Sequence, residues 1–206
     1  QGLTSWETAL DKAATILKGS GGKAVALVSA SASTEALFLL KECLSGLDFT
    51  GAFRVQKVAG EVPLPGMEDL ALREERAPNA TGARLLGYSE DFDSAVGAID
   101  GASLLIVLDE SLEGISAESL NGAANVIYLG SQLPDAMRLA NVVLPGTVMA
   151  EEDGCYVNRD GRVQRFTAAR AAPGDARPTW QILGQLAAKL ERCEAVASAE
   201  EAFAIV

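Results

Sequence analysis

The chain of 206 residues is 49% hydrophobic and only 5% aromatic, and it carries a formal net charge of −11 with no histidine. That composition supports an aliphatic core of the α/β kind, and the acidic balance argues against a nucleic-acid partner, which needs a basic face. No apolar run approaches the roughly 18–20 residues of a membrane span, so no direct membrane insertion is expected.

Thr4 to Lys18 has the periodicity of an amphipathic helix. Trp6, Leu10, Ala13 and Leu17 share one face, and Thr4 and Glu7 stand at capping-box spacing. Lys23 to Ala30 is a continuous apolar run, as in buried parallel strands. Ser31-Ala32-Ser33-Thr34-Glu35 then opens a helix striped by Leu37, Leu40, Leu44 and Leu47. A strand, a serine-rich turn and a helix can set an anion against free helix amides, which makes Ser31, Ser33 and Thr34 candidate contacts; the plainer reading is N-capping. Gly19 to Lys23 is no phosphate loop, because it precedes the strand and lacks the spacing.

Gly51 to Val58 reads as a short strand through Phe53, Val55 and Val58. Residues 59–87 are broken by Pro63, Pro65, Gly66 and Pro78, which predicts a long irregular connection with one short helix near Glu68 to Arg76 and a turn at Asn79 to Gly82. A helix is expected from Phe92 to Ile99. Leu104 to Leu108 is the clearest core strand, and Asp109 at its carboxyl end is a candidate ligand contact or a simple cap. A strand from Asn125 to Leu129, a helix from Pro134 to about Leu139 and a strand from Asn141 to Leu144 follow. Asp160-Gly161 predicts a hairpin near 155–166. A last helix runs from Pro178 to about Arg192, and another starts at Ser198. Strands separated by helices imply a Rossmann-like three-layer α/β domain with a mainly parallel sheet and right-handed crossovers, the hairpin being peripheral.

The chemistry is sparse. Without histidine there is no Ser/His/Asp triad and no Cys/His pair. Cys43, Cys155 and Cys193 are too far apart in sequence for zinc or an iron–sulfur cluster, and fit reduced cytosolic thiols. Glu151-Glu152-Asp153 lacks the converging partners of a metal or acid–base site, so a solvated or helix-terminal role is expected. Residues 61–100 hold nine acids against three bases, whereas 141–180 hold five of each, all five bases being arginine. Arg159, Arg162, Arg165, Arg170 and Arg177 are suited either to an anionic cofactor or to structural pairing with the surplus acids.

The run from Leu139 to Phe166, LANVVLPGTVMAEEDGCYVNRDGRVQRF, resembles the "A-D-V-V-L-P … E-x-x-G-x-x-x-N-x-x-G-R-x-Q" signature of the molybdopterin oxidoreductase superfamily. That group includes formate dehydrogenases, nitrate reductases and the large iron–sulfur subunit of bacterial NADH–quinone oxidoreductase. Three further segments agree in order: Ser5 to Asp11 with "W-x-x-A-L", Asn79 to Ala83 with Gly87 as "A-N-x-x-G-A … G", and Pro173 to Leu183 as "P-G-x-A-x-P-D-W-x-I-L". Asn141 replaces the usual aspartate, Cys155 a threonine and Asp160 a glutamate.

The resemblance implies a formate dehydrogenase/DMSO reductase-like fold, with residues 1–206 as one domain of a longer chain that begins before Gln1. It implies a non-catalytic scaffold domain of the NADH–quinone oxidoreductase large subunit, supporting electron transfer from NADH to quinone in the cytoplasm beside the inner membrane. Its partners would be other subunits of the respiratory complex and the rest of its own subunit. Iron–sulfur clusters would lie upstream. The alternative is a piece of an active molybdopterin enzyme such as formate dehydrogenase, and only then is molybdopterin expected. No catalytic or metal residue is assigned; Ser31, Ser33, Asp109, Asn158 and Arg162 are the candidate cofactor contacts.

Overall fold

The computed structural model describes residues 2–55 and 60–206. The elements run in the order α1 (Trp6–Gly19), β1 (Lys23–Ser29), α2 (Thr34–Cys43), β2 (Asp48–Arg54), β3 (Val62–Leu64) and β4 (Met67–Leu72). Then come α3 (Ala80–Leu85), α4 (Phe92–Gly97), β5 (Leu104–Leu108), α5 (Ala117–Leu120), β6 (Val126–Gly130), a 3-10 turn (Asp135–Leu139) and β7 (Val142–Pro145). A second 3-10 turn (Met149–Glu151), β8 (Gly154–Val157), β9 (Val163–Phe166), α6 (Thr179–Lys189) and α7 (Ala199–Ala204) complete the chain.

The main sheet has five parallel strands in the order β2-β1-β5-β6-β7. Both faces are covered, as an all-parallel sheet requires. The strands alternate between the two sides: Ala24, Ala26 and Val28 of β1 face a core built with α1, α2 and α6, while Val25 and Leu27 face one built with α4, α5 and Met137. All five residues of β5 and all five of β6 are buried, which explains their unbroken apolar sequences. The Asn141 amide oxygen accepts from Val126 N at 2.7 Å and ties the start of β7 to β6.

Several boundaries differ from the sequence reading. The α1 cap is Ser5, whose hydroxyl accepts from Thr8 N, and not Thr4. Pro178 precedes α6 as its cap residue, and that helix ends at Lys189. Residues 135–139 form a 3-10 turn in place of an α-helix. The β2 strand ends at Arg54, and Val58 lies outside the described residues. The largest correction concerns 59–87. Glu68 to Arg76 is no helix: Met67–Leu72 pairs antiparallel with Val62–Leu64. The two strands meet at Pro65-Gly66, where Pro has fixed φ and Gly66 supplies a φ of 77°, the pairing a type II reversal needs. Asn79 to Gly82 is likewise no isolated turn but the start of α3.

Candidate functional site

Chain direction across the sheet reverses at β1. From there the path steps to β2 on one side, and the later strands fill the other side from β5 outward. Ligands of open α/β sheets collect outside the carboxyl ends of the strands at such a reversal. Here that position is a crevice of about 280 Å³. Ser31 and Ala32 follow β1, Asp109 follows β5, and Thr147, Val148 and Glu152 follow β7; Tyr156 of β8 also lines it.

The seat an anion would take in this fold is the first turn of α2. Main chain of β8 lies there. Thr34 Oγ1 donates to the Cys155 carbonyl at 3.0 Å, and Cys155 N donates to Glu35 Oε2 at 3.0 Å. Ser33 caps the helix by accepting from Ala36 N. A Cβ on Gly154 would stand 3.0 Å from Ser33 Cβ and 2.7 Å from the Phe166 ring, so only glycine lets β8 approach this closely. Asn79, fully buried, fastens the same strand: its Oδ1 accepts from Val157 N at 2.9 Å and from Thr34 Oγ1 at 3.3 Å, while its Nδ2 donates to Ala32 O at 2.8 Å. A Cβ at Gly82 would overlap that Asn79 amide, which fixes glycine one turn into α3.

Two carboxylates wall the crevice. Glu152 is buried, and its Oε2 accepts from Thr179 N at 2.6 Å and from Thr147 Oγ1 at 2.8 Å. Burial pushes its pKa up to about 7 against those hydrogen bonds, and the Glu35 charge adds to the rise. Asp109 sits at a φ of 47°, with Oδ1 accepting from the amide and hydroxyl of Ser131 at 2.8 and 3.0 Å; burial raises its pKa too. Glu35 is fully buried, its Oε1 has no hydrogen-bond partner among the described residues, and burial raises its pKa despite the bonds it accepts. The Cys155 thiol is pushed up to about 12 by burial and by Glu35 beside it, so it stays protonated and unreactive.

The predicted contacts are thus dispersed. Ser31 and Asp109 share the crevice, but the Ser31 amide is taken by Ser29 Oγ and its carbonyl accepts from Tyr156 OH at 3.0 Å. Ser33 is a cap. Asn158 builds the hairpin loop, with Oδ1 accepting from the amides of Asp160 and Arg162, and Arg162 itself is exposed outside the crevice. Of the solvated or helix-terminal role expected of them, Glu151 and Glu152 take the second: both are buried, Glu151 ends the second 3-10 turn and Glu152 accepts from the first amide of α6. Glu151 accepts from Val148 N and pairs with Arg170 at 2.5 Å, fixing the loop after β7. Arg165 pairs with Glu200 at 2.6 Å, and Arg177 stacks over Trp6 at 4.5 Å. Glu35, Asn79, Glu152 and Thr179 were not singled out from sequence as site residues. The Asn79–Gly82 spacing was the one signal for this brace.

The protein-family model described as molybdopterin oxidoreductase matches residues 105–189. That stretch, less than half of the chain, is similar to the family. Among similar proteins, the F420-dependent formate dehydrogenase 2 subunit alpha of Methanococcus maripaludis is 48% identical over 58 residues, 28% of this chain and 9% of that subunit. The mitochondrial NADH-ubiquinone oxidoreductase 78 kDa subunit of Neurospora crassa is 43% identical over 60 residues, 29% of this chain and 8% of that protein. The NADH-ubiquinone oxidoreductase 75 kDa subunit of Reclinomonas americana is 37% identical over 67 residues, 32% and 10% of the two lengths. The matched stretches span a tenth or less of these relatives. The family name implies a phosphate-bearing pterin. The crevice does not fit one: acceptor carboxylates wall it, among the described residues no arginine or lysine lines it, and β8 covers the α2 amides. Among the described residues no helix is long and apolar enough to cross a membrane.

Proposed function

We propose that this chain is a scaffold domain in the large iron–sulfur subunit of an NADH–quinone oxidoreductase, supporting electron transfer from NADH to quinone without binding a redox group itself. The observation that carries the reading is β8 main chain hydrogen-bonded across the first turn of α2. A fold whose anion seat is filled by its own hairpin is suited to carry shape and contacts, not a pterin phosphate. Crevice chemistry points the same way, because it offers carboxylates without a competent nucleophile beside them. The likeness to two NADH-ubiquinone oxidoreductase subunits supports the choice of parent. In that setting its partners are the neighbouring subunits and the remaining domains of its own subunit, in a cytoplasmic arm at the inner membrane, with the clusters held elsewhere in the subunit.

Molybdenum and oxidised-pterin analysis of the purified intact parent tests this. Neither is expected above trace, and stoichiometric pterin overturns the proposal. The second reading, a molybdopterin enzyme such as a formate dehydrogenase, is favoured by the 48% identity to a formate dehydrogenase alpha subunit. It requires the hairpin to leave α2, and it predicts pterin in that same analysis.

A further inference from the structure

The crevice that does not fit an anion has the features of a cation site. Glu152 is 5% exposed, and both of its donors, Thr179 N and Thr147 Oγ1, use Oε2. Asp109 likewise gives Oδ1 to both the amide and the hydroxyl of Ser131. Among the described residues nothing donates to Glu152 Oε1 or to Asp109 Oδ2, so each carboxylate is held by one oxygen and leaves the other free where the side chain lines the crevice. A nearly buried carboxylate oxygen without a donor is costly, and a charged donor offsets that cost best.

Charge and size decide which donor fits. The crevice encloses about 280 Å³, and among the described residues no arginine or lysine lines it to balance the two acids. The Glu35 charge acts on Glu152 as well, so a neutral water would leave the negative charge uncompensated. Among the described residues no group of three or more His, Cys, Asp or Glu could hold a metal ion, and two carboxylates do not supply the several oxygens that calcium takes. Much of the remaining wall is apolar, with Ala32, Pro78, Val148, Met149 and Tyr156 beside the two acids. Apolar walls around two free carboxylate oxygens match an alkyl stem that ends in a cationic head.

We propose that the crevice walled by Asp109 and Glu152 is a binding site for an organic cation, a guanidinium or primary ammonium head on a short alkyl stem. The head takes the free oxygens of the two carboxylates, and the stem lies against the apolar wall. Such a group comes either as a free amine or guanidine or as a lysine or arginine side chain of another segment of the parent assembly. The site goes beyond the scaffold reading, which stands or falls on pterin in the parent and not on a cation in this chain.

The test titrates this chain with n-butylguanidinium at pH 8, above the value of about 7 for Glu152. The amides of Ser131, Val148 and Thr179 should shift and saturate at low-millimolar concentration or below. The neutral n-butanol and the anionic n-butyrate should move none of them. Glu152→Gln and Asp109→Asn keep the acceptor oxygen that anchors each side chain, and each should weaken binding by roughly tenfold or more. A structure of the intact parent determined with the probe separates the two sources. The probe in the crevice marks a free amine or guanidine, and a lysine or arginine side chain of another segment marks a docked polypeptide. A crevice that holds neither overturns the proposal. So does the absence of a saturable shift in this chain up to about 50 mM, an equal response to n-butanol, or unchanged affinity in both variants.

Discussion

Glu152→Gln isolates the electrostatic cost of closing the crevice. Glutamine keeps the acceptor oxygen that Thr179 N and Thr147 Oγ1 use, and removes the titration. In the folded protein the Glu152 carboxyl has a pKa of about 7, against an ordinary value of 4.5. A raised carboxyl favours the folded state while it is protonated. Its contribution is fully present below about pH 4.5 and is lost as pH rises through 7. Linkage over that shift makes the wild-type chain about 2–3 kcal/mol less stable at pH 8 than at pH 5 on account of this residue. The Gln variant should lack that decline, leaving the weaker dependence from Glu35 and Asp109, whose raised values act with the same sign. Urea unfolding at pH 5, 6, 7 and 8 measures both slopes. Parallel slopes for the two proteins would refute the assignment of a buried, proton-holding carboxyl at this position.

Asn79→Ala removes one acceptor from a buried amide and the donor to Ala32 O, and should cost about 2–4 kcal/mol in the same urea assay. Gly154→Ala should cost about 1–3 kcal/mol, because the Phe166 ring and Ser33 must yield to the added methyl. Its amide spectrum should change at the start of α2 as well as in the hairpin.

The sheet was legible because its strands are pure in type. Leu104 to Leu108 is apolar at every position since both faces are buried, and no competing signal obscures it. The hairpin at Asp160-Gly161 was legible from turn chemistry, Gly161 having a φ of 77°. The β3–β4 ribbon was not, because Pro63 and Pro65 read as breakers, whereas Pro65-Gly66 is the turn that joins two strands. The site was harder still. Glu35 and Glu152 look like surface acids in a chain with many, and only tertiary contact with Cys155 N and Thr179 N shows that they are buried fasteners. Asn79 stood beside a glycine at the right spacing, but its three partners come from elements 45 to 78 residues away in sequence.

The most direct measurement is an amide-resolved titration of this chain with pyrophosphate. With β8 fastened over the first turn of α2, the amides of residues 33–37 should show no saturable shift up to millimolar concentration. A saturating shift confined to those amides, accompanied by release of Cys155 N from Glu35, would mean that the seat is open and that the hairpin is only a movable cover.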